Sequence, residues 1–182
     1  MFGIPVALAV FGAGEWVANR CLLNMRAHDE RAQRSGGYDP AYEGLPWTSS
    51  TQAAELAGLA LIAAAHLPLA PIAPFYTATM LYCLHRYRRD HRRAHLDPAW
   101  ARDHLPHHYA HHVGDRGRNF GVVWSWVDTL AKTRELFVGT AAERAVHARN
   151  AAKVSTACAG APVRAQRRNP LRRLFTVLPG SR

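Results

Sequence analysis

Apolar residues in this chain gather into blocks rather than alternating with polar ones. Residues 2–18, FGIPVALAVFGAGEWVA, carry one charge, and residues 56–84, LAGLALIAAAHLPLAPIAPFYTATMLYCL, carry none with His66 neutral. A bilayer's hydrocarbon is crossed by about 20 apolar residues at about 1.5 Å each, so the second block is long enough. Pro68, Pro71 and Pro74 interrupt its centre, and a proline inside a helix removes a donor and obstructs the preceding turn. The pattern predicts two short helices, roughly 53–66 and 74–89, joined at the prolines into a hairpin that enters a membrane and returns. The same runs also allow a pair of buried core helices in a soluble protein. The first block reads as structural helix rather than a secretory signal, because no positive segment precedes it and Glu15 and Trp16 sit awkwardly in an apolar signal core.

Polar chemistry begins where the second block ends. Eight of the eleven histidines fall within the 28 residues from His85 to His112. His91 and His95 are four apart, and His108, His111 and His112 follow an i, i+3, i+4 pattern, so on helices each set projects from one face. Neutral imidazole binds iron, zinc, copper or nickel through one ring nitrogen, and a nitrogen-only set leaves open positions. The competing reading is a pH-sensitive or solvated basic face. His85, six residues before His91, turns away from that face on a straight helix. Asp103 is the expected cap of the second helix, with Pro106 in its first turn and His104 and His107 near its start. His28, His66 and His147 stand alone and are expected to be ordinary solvated or satisfied polar residues.

In order the chain reads His91-Arg-Arg-Ala-His95, Asp97-Pro98, His108-Tyr-Ala-His111-His112, Asn119-Phe120-Gly121 and Trp126-Val-Asp128. This resembles the fatty acid hydroxylase/sterol desaturase superfamily of membrane-embedded di-iron proteins, strongly over about a third of the chain. GGYDPAYEG at 36–44 is similar to a segment that follows the first histidine half in some bacterial members. The resemblance implies iron held by His91, His95, His108, His111 and His112, with no separate catalytic acid or base. It also implies oxidation of a lipid C–H bond with dioxygen, and electrons from an external ferredoxin or cytochrome, since no flavin or iron–sulfur signature is present. Asp97, Asp115 and Asp128 are candidates to orient a ligand imidazole. The first histidine half is missing: Asn19 and Asn24 stand where that box would carry histidines, and only His28 lies between Asn24 and Gly36. One metal ion or none, a degenerate non-catalytic scaffold, or a homo-oligomer completing the site are the alternatives this leaves.

Net charge is +10, and Arg86, Arg88, Arg89, Arg92 and Arg93 crowd behind the second apolar block, which by the positive-inside rule places the histidines on the cytoplasmic side. Contact with anionic lipid headgroups and a solvated helix face are equally open readings of these arginines. Cys21, Cys83 and Cys158 form no paired framework. The basic tail lacks a nucleic-acid recognition motif, so no nucleic-acid partner is expected. The expected fold is all-α, with integral membrane helices and a cytoplasmic histidine-rich cap. Residues 1–140 form a shortened hydroxylase-like membrane domain, 141–153 a helical extension, and 154–182 a basic, disordered tail.

Overall fold

A computed structural model describes residues 2–22 and 26–160, and among these the chain is helical, with no strand. Chain 1–146 is one compact unit. Helix α1 spans Gly3–Val17 and continues as a π-helical turn over Ala18–Leu22. Helix α2 (Arg26–Arg34) precedes a 3-10 turn at Pro40–Tyr42. Asp39 caps that turn by accepting from Ala41 N.

The proline-broken hairpin forms as α3 (Ser50–His66), a 3-10 turn at Leu67–Leu69 and α4 (Pro74–Leu96). Ser49 caps α3 by accepting from Gln52 N. Pro68 and Pro74 sit in the first turns of their helices, where the missing N–H has no partner to lose. The second arm extends well past residue 89, so α4 is apolar at its start and carries His91 and His95 at its end. Gly3 lies against the Tyr76 backbone, and α1 therefore runs beside α4 in the same direction. Phe11 packs with Met80, Cys83, Leu84, Tyr87, Val122 and Val123 in the core between them.

The outer faces of these helices remain apolar and uncovered. Phe2 is 88% and Ile72 81% exposed, with Val6, Val10, Leu61, Ile62 and Phe75 also open. One helical stretch, Ser50–Leu69, is long and apolar enough to cross a membrane, and almost none of it is buried.

Helices α5 (Pro98–His104) and α6 (Pro106–Val113) follow, packed through Ala101, Leu105, Tyr109 and Val113. Here the expected cap is corrected: Leu105 precedes α6 without a side-chain cap, and Asp103 lies inside α5, 3.6 Å from Arg102. Asp97 caps α5 by accepting from Trp100 N. Helix α8 spans Ala141–Gly160, past the expected end at Lys153, and most of it belongs to a second unit starting at His147. The rest of the expected tail lies outside the described residues.

Asp128, at α7 (Trp126–Leu130), ties the loop behind α6 to α1. Its fully buried carboxylate accepts from Phe120 N (2.8 Å), Gly121 N (2.9 Å), Thr133 Oγ1 (2.7 Å) and Trp16 Nε1 (3.2 Å). A side chain at Gly121 would run into the Trp124 carbonyl oxygen. Asn119 holds a left-handed φ of 55° and clamps Glu135, donating to its carbonyl and accepting from its amide. The Asn-Phe-Gly run and Asp128 are thus one loop-organising device. Asp128→Ala strands four donors and is expected to cost ~3 kcal/mol. Asp115→Ala, in an exposed turn, stays within about 0.5 kcal/mol. Thermal melts of the two variants check this, and equal melting temperatures would remove Asp128 from this role.

Candidate metal centre

Four buried histidines from three helices converge: His28 of α2, His91 and His95 of α4, and His112 of α6, with one ligand nitrogen from each lying within 4.8 Å of the others. His108 packs into the same cluster, its ring centre 5.0 Å from that of His91 and 4.5 Å from that of His112. His111 lies at the edge, 5.0 Å from His112 by ring centre. All five histidines predicted from spacing therefore meet in one region. His85 is exposed, and His104 stacks on Trp100.

The outer ring nitrogens settle the tautomers. His28 Nδ1 lies 2.8 Å from Asp39 Oδ2, and Asp39 also accepts from Arg31 Nε at 3.1 Å. Burial pushes the Asp39 carboxyl up, but the bonds from His28, Arg31 and Ala41 outweigh it and hold the carboxyl at about 2. An ionised carboxylate only accepts, so His28 carries its proton on Nδ1 and presents the Nε2 lone pair inward. His95 Nδ1 likewise faces the Gly37 carbonyl at 3.1 Å. Gly37 reaches that position with φ 103°, open to glycine alone at little cost. His91 Nδ1 lies 3.4 Å from both Tyr42 Oη and Glu55 Oε2, and the Glu55 carboxylate is 3.5 Å from Arg88.

His91 and His95 bring their Nε2 atoms to 3.3 Å of each other, so either one Nε2–H donates to the other or both lone pairs face a shared cation. His28 Nε2, His108 Nε2 and His112 Nδ1 are buried without a hydrogen-bond partner. Orphaned donors of this kind, with His28 oriented by Asp39 and His95 beside them by the Gly37 carbonyl, are the arrangement of a metal site. The residues present fit a transition-metal ion. Burial, and then the neighbouring imidazoles, hold His95, His108 and His112 well below the usual histidine value, and burial also lowers His28. These four imidazoles are therefore neutral and ready to ligate at pH 7.

Several sequence expectations are corrected here. His28 is a member of the cluster rather than an isolated polar residue. Asp97 caps α5, Asp115 accepts from Gly117 N, and Asp128 organises the loop, so none of the three touches an imidazole. Asp39, Glu55 and Asp29 are the carboxylates beside the rings. A signal for Asp39 existed in the Tyr-Asp-Pro segment, while nothing local marks Glu55. Asn19 lines the cleft leading to the cluster, with His28, Asp29, His91, His108, His111, His112, Phe120 and Val122, and donates to the Phe120 carbonyl at 2.9 Å. Asn24 lies outside the described residues. The arginines behind the apolar block have partners within the chain: Arg86 and Arg89 reach Asp90, Arg88 reaches Gln52, Arg92 reaches the Gly44 carbonyl and Arg93 lies over Trp100.

Compared with protein-family models, curated proteins and solved structures, the chain gives no match. The class that fold and site define is an all-helical protein with a buried four-histidine cluster able to hold a metal ion.

Replacing His28 with alanine should abolish metal retention as fully as His95→Ala does, whereas His85→Ala and His104→Ala keep it. Asp39→Asn should weaken binding about 10- to 100-fold, as loss of an outer partner does. Metal content after dialysis against a chelator decides, and full retention by His28→Ala would remove α2 from the site. A second outcome follows from the lowered histidine values. Below about 6.5, their ordinary value, the unfolded chain binds protons that the folded chain refuses. Stability of the metal-free protein is full above that pH and falls as pH drops toward the folded values. Melts at pH 7.5 and 5.5 test the sign, and a higher melting temperature at pH 5.5 contradicts it.

Proposed function

We propose that the chain is a membrane-bound, iron-dependent oxidoreductase acting with dioxygen on a C–H bond of a lipid. The observation that carries this is the cluster of inward-facing imidazoles at the head of an uncovered apolar hairpin. Iron at such a site would activate dioxygen. The chemistry such iron would supply is insertion of one oxygen atom into the C–H bond and release of the other as water, with two electrons from an external ferredoxin or cytochrome and two protons from solvent.

The chain's own residues do the rest. His28, His91, His95, His108 and His112 would hold the metal, with Asp39 and the Gly37 carbonyl accepting from the outward nitrogens of His28 and His95 and with Tyr42 and Glu55 beside that of His91. Val122 and Phe120 flank the cleft with apolar surface suited to an acyl chain. The stretch Ser50–Leu69, α3 with the turn that follows it, is 20 residues long, reaches about 30 Å and matches a bilayer's hydrocarbon. The arginines at the end of α4 favour a cytoplasmic cap. His28 and Asp29 of α2 supply donors within one chain, so the reading needs no second subunit.

Asn19 favours a second reading, a metal-binding scaffold without catalysis, because an amide replaces an imidazole beside the cleft. Detergent-extracted protein, loaded anaerobically with ferrous iron and then given dioxygen, a reduced ferredoxin and membrane lipids, separates the two. Lipid gaining one oxygen atom or losing two hydrogens, in native protein and not in His95→Ala, is the expected outcome. Iron bound with unaltered lipids would establish the scaffold, and extraction by salt without detergent would sink the membrane assignment.

A further inference from the structure

The lipid-facing part of the α3–α4 hairpin is shorter than its helices. Counted from Ser50, the first arm is long enough to cross a membrane, but the first turns of α3 belong to the cap. Gln52 is fully buried and donates to the Ala41 carbonyl at 2.8 Å, and Glu55 lies 3.4 Å from His91 and 3.5 Å from Arg88. The second arm meets the same boundary at Arg86, which donates to Asp90 and lies over the Trp124 ring. The lengths left to lipid, 56–69 and 74–85, are about 21 and 18 Å at about 1.5 Å per residue, against a hydrocarbon about 30 Å thick.

The tip is built for a place without water. Residues 67–73, LPLAPIA, carry no polar side chain, and Ile72 is 81%, Phe75 60% and Leu67 51% exposed. A turn on the far side of a bilayer would hold that apolar surface among headgroups and water. The backbone points the same way. Pro68, Pro71 and Pro74 have no N–H to satisfy, and Leu67, Ala70, Ile72 and Ala73 donate to carbonyls three or four residues back. Backbone groups within hydrocarbon need such internal partners. Polar side chains next to the tip are spent on backbone too: His66 donates from Nδ1 to the Ile62 carbonyl and Thr79 to that of Phe75, both at 2.7 Å, while buried Thr77 lies 3.5 Å from the His66 carbonyl.

We propose that the hairpin ends inside the bilayer: it is held through the near leaflet, and its tip, Ile72 with Phe75, stops about 10 Å short of the far headgroups. The proposal rests on the membrane reading above and deepens it. The three prolines then do more than turn the chain, since each removes a donor where no water could satisfy it. Tyr82 and the Arg89 guanidinium, both exposed on α4, mark the near headgroup level.

The test reconstitutes the full-length chain into phosphatidylcholine–phosphatidylglycerol vesicles and adds a membrane-impermeant maleimide on both sides. The background carries Cys21→Ser and Cys158→Ser, with buried Cys83 retained. Ile72→Cys should react at least tenfold more slowly than Asp115→Cys, and detergent should close the gap. In flotation with the same lipids, Ile72→Arg should lower the partition coefficient at least tenfold, as a charge placed in hydrocarbon does, while Asp115→Arg stays within about threefold of native. Rapid labelling of Ile72→Cys in protein that floats, or an Ile72→Arg chain that floats like native, would place the tip in water beyond the far headgroups and overturn this proposal alone. Native protein that fails to float would sink the membrane reading together with it.

Discussion

Several buried imidazoles share one small space with ring nitrogens turned inward. That constraint organises the cap. Each outward nitrogen needs an acceptor, and the acceptors come from elsewhere in the chain: Asp39 and the Gly37 carbonyl from the segment after α2, Tyr42 from the 3-10 turn, and Glu55 from α3. The segment is itself fastened to α4, where Asp39 N donates to the His95 carbonyl at 3.0 Å. Removing a ring would strand a partner on another element, so helix packing and site geometry are the same set of contacts. An unsatisfied buried polar group costs about 1–3 kcal/mol. Three orphaned ring nitrogens therefore oppose folding, and a cation that satisfied them would couple its binding to stability.

The cap is joined to the apolar helices by buried carboxylates. Glu15 of α1 accepts from Val122 N and Val123 N at 2.8 and 2.7 Å, while Asp128 receives Trp16 from the same helix. Val122 in turn presents its carbonyl to His107 Nε2 at 2.8 Å. A displacement of α1 would thus pass directly to the loop that floors the cleft. Glu15, the one charge in the first apolar block, looks out of place by composition and is explained by this anchoring.

Local periodicity made part of the site legible and long-range packing hid the rest. His91/His95 and His108/His111/His112 announce themselves because a helix converts their spacing into a shared face. The hairpin is legible for a similar reason, since prolines mark its turn. His28 carries no such mark. It is a single histidine on a short polar helix, and its role exists only because α2 folds back against α4 and α6. The carboxylates divide in the same way. Asp97, Asp115 and Asp128 lie near the histidines in sequence but serve nearby backbone, as short acidic side chains commonly do. Asp39 and Glu55 are far away along the chain and close in space.

Asn19 fastens one wall of the cleft. Its amide donates to the Phe120 carbonyl, and Phe120 packs edge-on to Trp16 and tilts against His111. An imidazole at position 19 would bring a ligand to the cleft, whereas the amide fastens the cleft's apolar wall. The neighbouring π-helical turn, Ala18–Leu22, widens the helix at this point, a distortion often found beside functional sites. α1 thus holds the wall of the cleft, and α2 places His28 and Asp29 beside the other rings. Such a division leaves one side of the cluster rich in nitrogen and closed, and the other mixed in character and open to the cleft.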